Sequence, residues 1–346
     1  MNLGIIGATG IVGEELIKLI EKNHLNVSIS KIKLMASLKS KGKEIVIKNK
    51  KYIVEELTDE SFKDLNVAIF CCKEKVSLLY AKIALQNNCY VIDNSSSYRL
   101  SDNVPLVIPE VNGNLITTKS KLISNPNCCV AILCTAIYPL HKKFKIKRLI
   151  LSTYQSASGA GRDGLNELKN QIKEYGKSDI STKVFGRPYL NNVFSHNSSI
   201  CLFDLYNDEE MKIIKETKKI LGEDVKVTAT SVRVPVFRSH CISVNVEFDK
   251  KVKLEEINDI LNNSSGVEVV DQKFENKFPE ALSSKEKFDV EVGRIRYDLD
   301  DKSEKTINLF ISGDQLLKGA ALNAYQILKI TNSFLTYNNE QKVNIN

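Results

Sequence analysis

The sequence predicts an α/β protein of two domains, an N-terminal parallel-sheet domain followed by an α+β domain with a mixed sheet. Three observations carry this. A short apolar run at the N-terminus passes through a glycine-rich turn into a segment with helical spacing of its apolar residues. Apolar strand candidates then alternate with helical segments as far as about residue 127, the pattern of βα units on a parallel sheet. Beyond Leu140 the character changes to strand candidates with fewer helices between them.

The chain has 346 residues, enough for two cores, and its 42% hydrophobic and 26% charged residues are ordinary for a globular protein. No apolar run approaches the roughly 20 residues that span a bilayer, and the N-terminus carries no secretory pattern, so a cytoplasmic protein without a membrane partner is expected. The net charge is +7, but the lysines are dispersed and no aromatic and basic module is present. Small anions, not nucleic acid, are the expected partners. Eight cysteines are scattered through apolar runs without disulfide or zinc spacing, so free thiols and no metal are expected.

Met1 to Ile6 reads as a strand and Glu14 to Ile20 as a helix. Between them stand Gly7, Ala8, Thr9, Gly10, Ile11, Val12 and Gly13. This spacing lets backbone amides approach a pyrophosphate at a helix N-terminus, as in a Rossmann-type domain. Gly7, Thr9, Gly10, Ile11, Val12 and Gly13 are therefore candidate cofactor contacts; a tight turn that binds nothing is the alternative. Ile32 to Ser37 is a second strand. An NAD-preferring domain normally ends this strand on an acidic residue for the ribose 2'-hydroxyl. Here Ser37, Lys39 and Ser40 follow instead. They suit a 2'-phosphate and argue for NADP, against the alternative of a solvated basic loop.

Val67 to Cys72 and Tyr90 to Asp93 are buried strand candidates flanking a helix from Val76 to Leu85. The polar loop Asp93 to Arg99 falls on the carboxyl edge of the sheet, where ligands bind, although a lone arginine there also reads as solvated. Val104 to Asn112 reads as extended. Ser124-Asn125-Pro126-Asn127-Cys128-Cys129 then runs into the apolar segment Val130 to Leu140. A cysteine where an Asn/Pro turn becomes a helix is a candidate nucleophile, because helix N-terminal amides favour the thiolate. Successive helical residues are turned about 100° apart. Cys128 and Cys129 are therefore not expected to address one substrate, and Cys129 reads as structural.

In the second half, Leu149 to Tyr154 is a strand, Gln155 to Gly164 a flexible loop and Leu165 to Tyr175 a helix. Gly176 to Cys201 reads as an extended loop or lid. Asn207 to Glu210 cap a helix from Met211 to Leu221. Residues 225–231, 232–236, 241–248, 288–292 and 307–311 are strands, and a last helix runs to about Leu335, with fraying expected beyond Tyr337. Glu209 and Lys212 share a helix face, where the plain reading is a surface ion pair worth a few tenths of a kcal/mol. Arg233 alone reads equally as a strand-surface salt bridge.

Eight blocks in order resemble the aspartate-semialdehyde dehydrogenase family over almost the whole chain: GATGIVG (7–13), DNSSSYR (93–99), PLVIPEVN (105–112), NPNC (125–128), STYQSASGAG (152–161), EEMK (209–212), SVRVPVFRSH (231–240) and KGAALN (318–323). The resemblance implies reduction of aspartyl 4-phosphate to aspartate 4-semialdehyde with NADPH and release of phosphate, on the route to lysine, methionine, threonine and isoleucine. It implies Cys128 as the nucleophile, His240 as acid/base and Gln155 as the residue that orients the acyl intermediate. It further implies Arg233 for the substrate carboxylate, Glu209 for its amino group, Arg99, Lys212 and Asn127 for phosphate, and Ser158, Gly159 and Gln315 beside the cofactor. An NADP-binding domain over 1–127, completed by residues 319–346, and a catalytic and dimerisation domain over 128–318 follow from it, as does a homodimer, with pairing of dimers left open.

Three positions depart from the family pattern. Cys129 replaces a small hydroxylic residue, Gln315 stands where asparagine is common, and residues 184–203 differ. Reductases of N-acetylglutamyl phosphate or malonyl-CoA are enzyme alternatives, and a nucleotide-binding regulator without catalysis is the non-enzymatic one. Asn127, where the acetylglutamyl enzyme usually has glycine, and the presence of both Cys128 and His240 weigh against them.

Overall fold

The computed structural model describes residues 1–176 and 180–343. The chain forms two compact units, Met1–Pro126 with Ala320–Asn346, and Asn127–Gly319.

The first unit begins with β1 (Asn2–Ile6), α1 (Ile11–Lys22), β2 (Lys31–Ala36), the hairpin β3 (Glu44–Ile47) and β4 (Lys50–Ile53), and β5 (Glu55–Glu56). It continues through β6 (Val67–Phe70), α2 (Glu74–Gln86), β7 (Tyr90–Asp93), α3 (Pro109–Asn112) and β8 (Leu122–Ser124). Six strands form one parallel sheet in the order β5-β2-β1-β6-β7-β8. Strand β6 is buried at every position, as a central parallel strand covered on both faces must be. Ile6, Met35, Phe62, Ala68 and Phe70 build a core beside it. The strand order reverses at β1/β6, so the glycine turn after β1 lies at the crevice where such sheets take ligands.

That turn needs its first glycine. Gly7 has φ 82°, and a Cβ there would stand 2.3 Å from the Cys71 carbonyl oxygen. Pro109–Asn112 is a short helix where an extended run was expected, because Pro109 stands at its first turn, a position that needs no N–H.

The second unit holds α4 (Cys128–Phe144), β9 (Ile146–Gln155), α5 (Gly161–Lys173), β10 (Phe194–Ser195), α6 (Asp208–Leu221), β11 (Lys226–Arg233), β12 (His240–Phe248), α7 (Leu254–Asn262), β13 (Val267–Val269), β14 (Val290–Tyr297) and β15 (Thr306–Gly313). Its seven strands run β10-β11-β9-β12-β15-β14-β13. Strands β11/β9 and β13/β14 pair parallel and the rest antiparallel, the mixed sheet expected. Helix α4, buried from Cys129 to Ile137, packs on β9, β12, β14 and β15. On the opposite face, Ile150, Tyr154 and Phe310 are only partly buried and alternate with core residues.

The stretch read as a lid is not a simple loop. Phe185, Tyr189 and Phe194 form a buried aromatic cluster, and the Tyr189 hydroxyl donates to the carbonyls of Gln155 at 3.1 Å and Val234 at 2.6 Å. Residues 177–179 of that stretch lie outside the described residues. Lys226–Arg233 is one strand where two shorter ones were expected. The last helix, α8 (Leu322–Val343), belongs to the first unit and continues past Leu335; the last three residues of the tail expected to fray lie outside the described residues. There Asn323 Nδ2 donates to the Val107 carbonyl at 2.9 Å, and the Tyr325 hydroxyl bonds Asn23 Oδ1 at 3.1 Å.

Candidate active site

Strand register assembles the site in the second unit. Strands β9 and β11 run parallel with Gln155 opposite Arg233, so both end at one edge of the sheet. On the other side of β9, antiparallel β12 begins there, with Cys241 opposite Tyr154 and His240 one residue earlier. Helices α4 and α6 start at the same edge, because Asn127 and Asn207 cap them with side-chain oxygens on the amides of Cys129 and Glu210.

Cys128 is the first residue of α4 and is partly exposed, while Cys129 is fully buried. The two thiols and a ring nitrogen of His240 all lie within 4.8 Å of one another. The adjacent sulfurs thus lie close together, although only Cys128 is partly exposed. A hydrogen bond from the Cys129 thiol, with a smaller contribution from His240, holds the Cys128 thiol well below the ordinary range against the cost of burial. Burial, together with that bond, pushes Cys129 well above it. The two thiols are therefore shifted in opposite directions, Cys128 toward the thiolate and Cys129 toward the protonated thiol. Gly319 lies close against Cys128, and a methyl there would stand 2.8 Å from Cys128 Cβ.

His240 is fully buried. Its Nδ1 accepts the Ser156 N–H at 3.1 Å and lies 3.2 Å from Ser156 Oγ. Nε2 has no hydrogen-bond partner of normal geometry among the described residues. Gly159 borders this ring and Arg233, since a Cβ on it would lie 3.0 Å from Arg233 Nη1 and 3.1 Å from Nε2. Ser158 and Gln315, expected beside the cofactor, are buried and bonded to each other.

Glu209 is buried, not the surface ion-pair partner that spacing alone suggested. Its Oε1 accepts from Asn127 Nδ2 at 2.9 Å and Gln155 Nε2 at 3.1 Å. Burial raises its pKa, but the charge of His196, these amides and Lys212 bring the carboxyl below its usual range. Arg233 is buried too, with Nε on Asn197 Oδ1 at 3.3 Å and Nη1 on the Ser156 carbonyl at 3.2 Å. Neither Arg233 nor Lys212 makes an ion pair among the described residues. A buried guanidinium and a half-buried ammonium without an ion-pair partner suit an anionic ligand.

Three site residues carry no motif and were not singled out in the sequence. His196 Nδ1 accepts the Ser198 N–H at 3.3 Å, and burial beside Arg233 lowers it to about 4. Asn197 and Ser198 tie Arg233 and the Glu209 amide to one segment. Only a single histidine among Asn and Ser residues marked the place.

In the first unit, Arg99 is buried, its Nε donating to the Asn125 carbonyl at 2.9 Å and Nη2 to that of Asn94 at 2.8 Å. Ser40 is buried with its Oγ 3.0 Å from Thr9 Oγ1, while Ser37 and Lys39 are exposed. No helix among the described residues is long and apolar enough to cross a membrane.

A parallel sheet with a glycine turn in one unit and, in the other, a cysteine and histidine site beside cations that make no ion pair among the described residues define the class of nucleotide-dependent oxidoreductases. Residues 2–119 match the semialdehyde dehydrogenase NAD-binding domain and residues 137–318 the semialdehyde dehydrogenase dimerisation domain. Aspartate-semialdehyde dehydrogenase of Rickettsia bellii is 40% identical over 331 residues, covering 94% of this chain and 96% of its own. That of Prochlorococcus marinus is 38% identical over 332 residues, covering 95% of each. A crystal structure of aspartate semialdehyde dehydrogenase II from Vibrio cholerae superposes with a TM-score of 0.90 at 32% identity, covering 95% of this chain and 97% of that one. The chain belongs to the aspartate-semialdehyde dehydrogenase family, oxidoreductases acting on an aldehyde group.

Proposed function

We propose that this enzyme reduces L-aspartyl 4-phosphate reversibly to L-aspartate 4-semialdehyde with NADPH, releasing phosphate, in the cytoplasmic synthesis of lysine, methionine, threonine and isoleucine. The observation that carries this is the convergence of Cys128 and His240 beside a buried cation and a buried carboxylate, Arg233 and Glu209. An amino acid's α-carboxylate and α-amino group need that pair of opposite charges. The bidentate fork of Arg233 takes the carboxylate and Glu209 the ammonium.

The Cys128 thiolate attacks the acyl carbon, phosphate leaves, and a thioester is held on the enzyme, dividing one displacement into two easier steps. Lys212, Arg99 and Asn127 serve the phosphate. Gln155 orients the acyl group, and His240 serves the proton steps as acid/base. The glycine turn between β1 and the N-terminus of α1 suits the pyrophosphate of a dinucleotide, whose negative charge the helix amides favour. The cofactor supplies the hydride.

The absence of an acidic residue after β2, with Ser37 and Lys39 exposed there, supports NADP over NAD. The dimerisation-domain match and the partly exposed apolar face at Ile150, Tyr154 and Phe310 support a homodimer through the mixed sheet. The test is reduction of NADP by aspartate semialdehyde with and without phosphate. Absence of a phosphate-dependent rate overturns the reading.

A further inference from the structure

Gln315 bonds two neighbours of His240, Ser239 and Ser158. Its Oε1 accepts the Ser239 N–H at 2.7 Å, and Ser239, next to His240 in sequence, has φ 73°, a left-handed conformation that is unfavourable for a side-chain-bearing residue. A backbone N–H only donates, so this bond fixes which end of the amide is oxygen. Nε2 of Gln315 is thereby turned to Ser158 Oγ and donates to it.

The remaining directions follow from donor and acceptor capacity. An amide nitrogen has no lone pair to accept with, so the Ser158 hydroxyl proton goes to its other partner, Ser156 Oγ, at 3.2 Å. Ser156 Oγ, having accepted there, gives its own proton to His240 Nδ1 at 3.2 Å. The Ser156 N–H reaches the same nitrogen at 3.1 Å. Ser156, Ser158, Gln315 and His240 are all buried, so bulk water does not compete for these bonds.

We propose that Gln315, acting through Ser158 and Ser156, is a positioning residue that holds the neutral His240 ring in the tautomer with its proton on Nε2. The nitrogen lacking a protein partner is then an N–H donor. Such a ring meets the Cys128 thiolate, or the carbonyl oxygen of a bound acyl group, as a neutral electrophile. It also has no lone pair to give a cation at Nε2, so the grouping of Cys128, Cys129 and His240 is not a ready metal site in the resting enzyme. The proposal rests on His240 serving the acyl centre, but the tautomer is measurable without turnover.

The experiment is nitrogen-15 NMR of the resting full-length enzyme with labelled histidine, four residues in all, His240 being assigned by difference against His240→Asn. The expected protonated nitrogen is Nε2, identified by its couplings to both ring C–H protons. Gln315→Glu keeps the acceptor for Ser239 but, once ionised, offers Ser158 no donor. Recorded at neutral and alkaline pH, it should shift the ratio of Nε2–H to Nδ1–H by about tenfold or more, the weight of one hydrogen bond. Ser158→Ala should shift it likewise, and Ser158→Thr, which keeps the hydroxyl, should restore it. An Nδ1–H signal in the unaltered enzyme overturns the proposal. So does an unchanged ratio in Gln315→Glu and Ser158→Ala, which would assign the tautomer to the Ser156 N–H alone. Failure of phosphate-dependent turnover, by contrast, bears on the reaction and leaves these spectra interpretable.

Discussion

Asn127 donates through Nδ2 to Glu209 Oε1 at 2.9 Å, while its Oδ1 accepts the Cys129 N–H at 2.8 Å. One amide thus sets the first turn of the nucleophile's helix against the first turn of the helix bearing Glu209. Asn127→Ala removes a helix cap and leaves two buried groups with a lost partner. It is expected to cost about 1–3 kcal/mol, read from the denaturant midpoint, and to raise KM for aspartate semialdehyde.

The two cysteines separate by chemistry. Cys128→Ala is expected to lower turnover by about 10^4-fold or more, as loss of a covalent nucleophile does. Cys129→Ala should keep turnover but move the pH of half-maximal alkylation of Cys128 upward, because the Cys129 thiol is the leading cause of the lowered Cys128 pKa. Iodoacetamide rates against pH in both variants check this. Turnover retained by Cys128→Ala and lost by Cys129→Ala would reverse the assignment.

Gly159→Ala places a methyl 3.0 Å from Arg233 Nη1 and from His240 Cε1. Both groups must shift, and a small misplacement of reacting groups costs about 10²-fold. A fall of that order in kcat/KM with an unchanged thermal midpoint is expected. A midpoint lowered in step with activity would mean that the glycine serves the fold instead.

His196 links pH to stability. Its pKa is lowered from 6.5 to about 4 in the folded chain, so the unfolded chain binds more protons between those values. Stability is therefore present above pH 6.5 and is lost as pH falls from 6.5 toward about 4. His196→Gln should flatten the dependence of the urea midpoint in that window. An equally steep profile in the variant would assign the loss to other groups.

Cofactor choice is open to one substitution. Ser37→Asp places an acid directly after β2, where it would accept from a ribose 2'-hydroxyl and repel a 2'-phosphate. The ratio of kcat/KM for NADP over NAD should fall by about tenfold or more. No change in that ratio would move the 2'-phosphate contact elsewhere.

The sequence by itself determined what depends on near neighbours. The glycine turn between β1 and α1, the βα alternation and the cysteine at the head of α4 are legible because turn chemistry, periodicity and capping act over a few residues. The family motifs then marked Gln155, Glu209, Arg233 and His240 by their flanking residues. Only the tertiary structure decided how these groups meet. The register of β9 with β11 and β12 brings Gln155, Arg233 and His240 to one edge, and register depends on pairing across stretches of chain that carry no mark of their partner. Cys129 lies close to Cys128 and His240 because the helix begins at Cys128 and its first turn lies in the buried site. The bonds from Gln315 through Ser158 and Ser156 to His240 join residues 157 and 84 positions apart. Their direction follows from one backbone N–H at Ser239, which only the folded chain presents to the Gln315 oxygen.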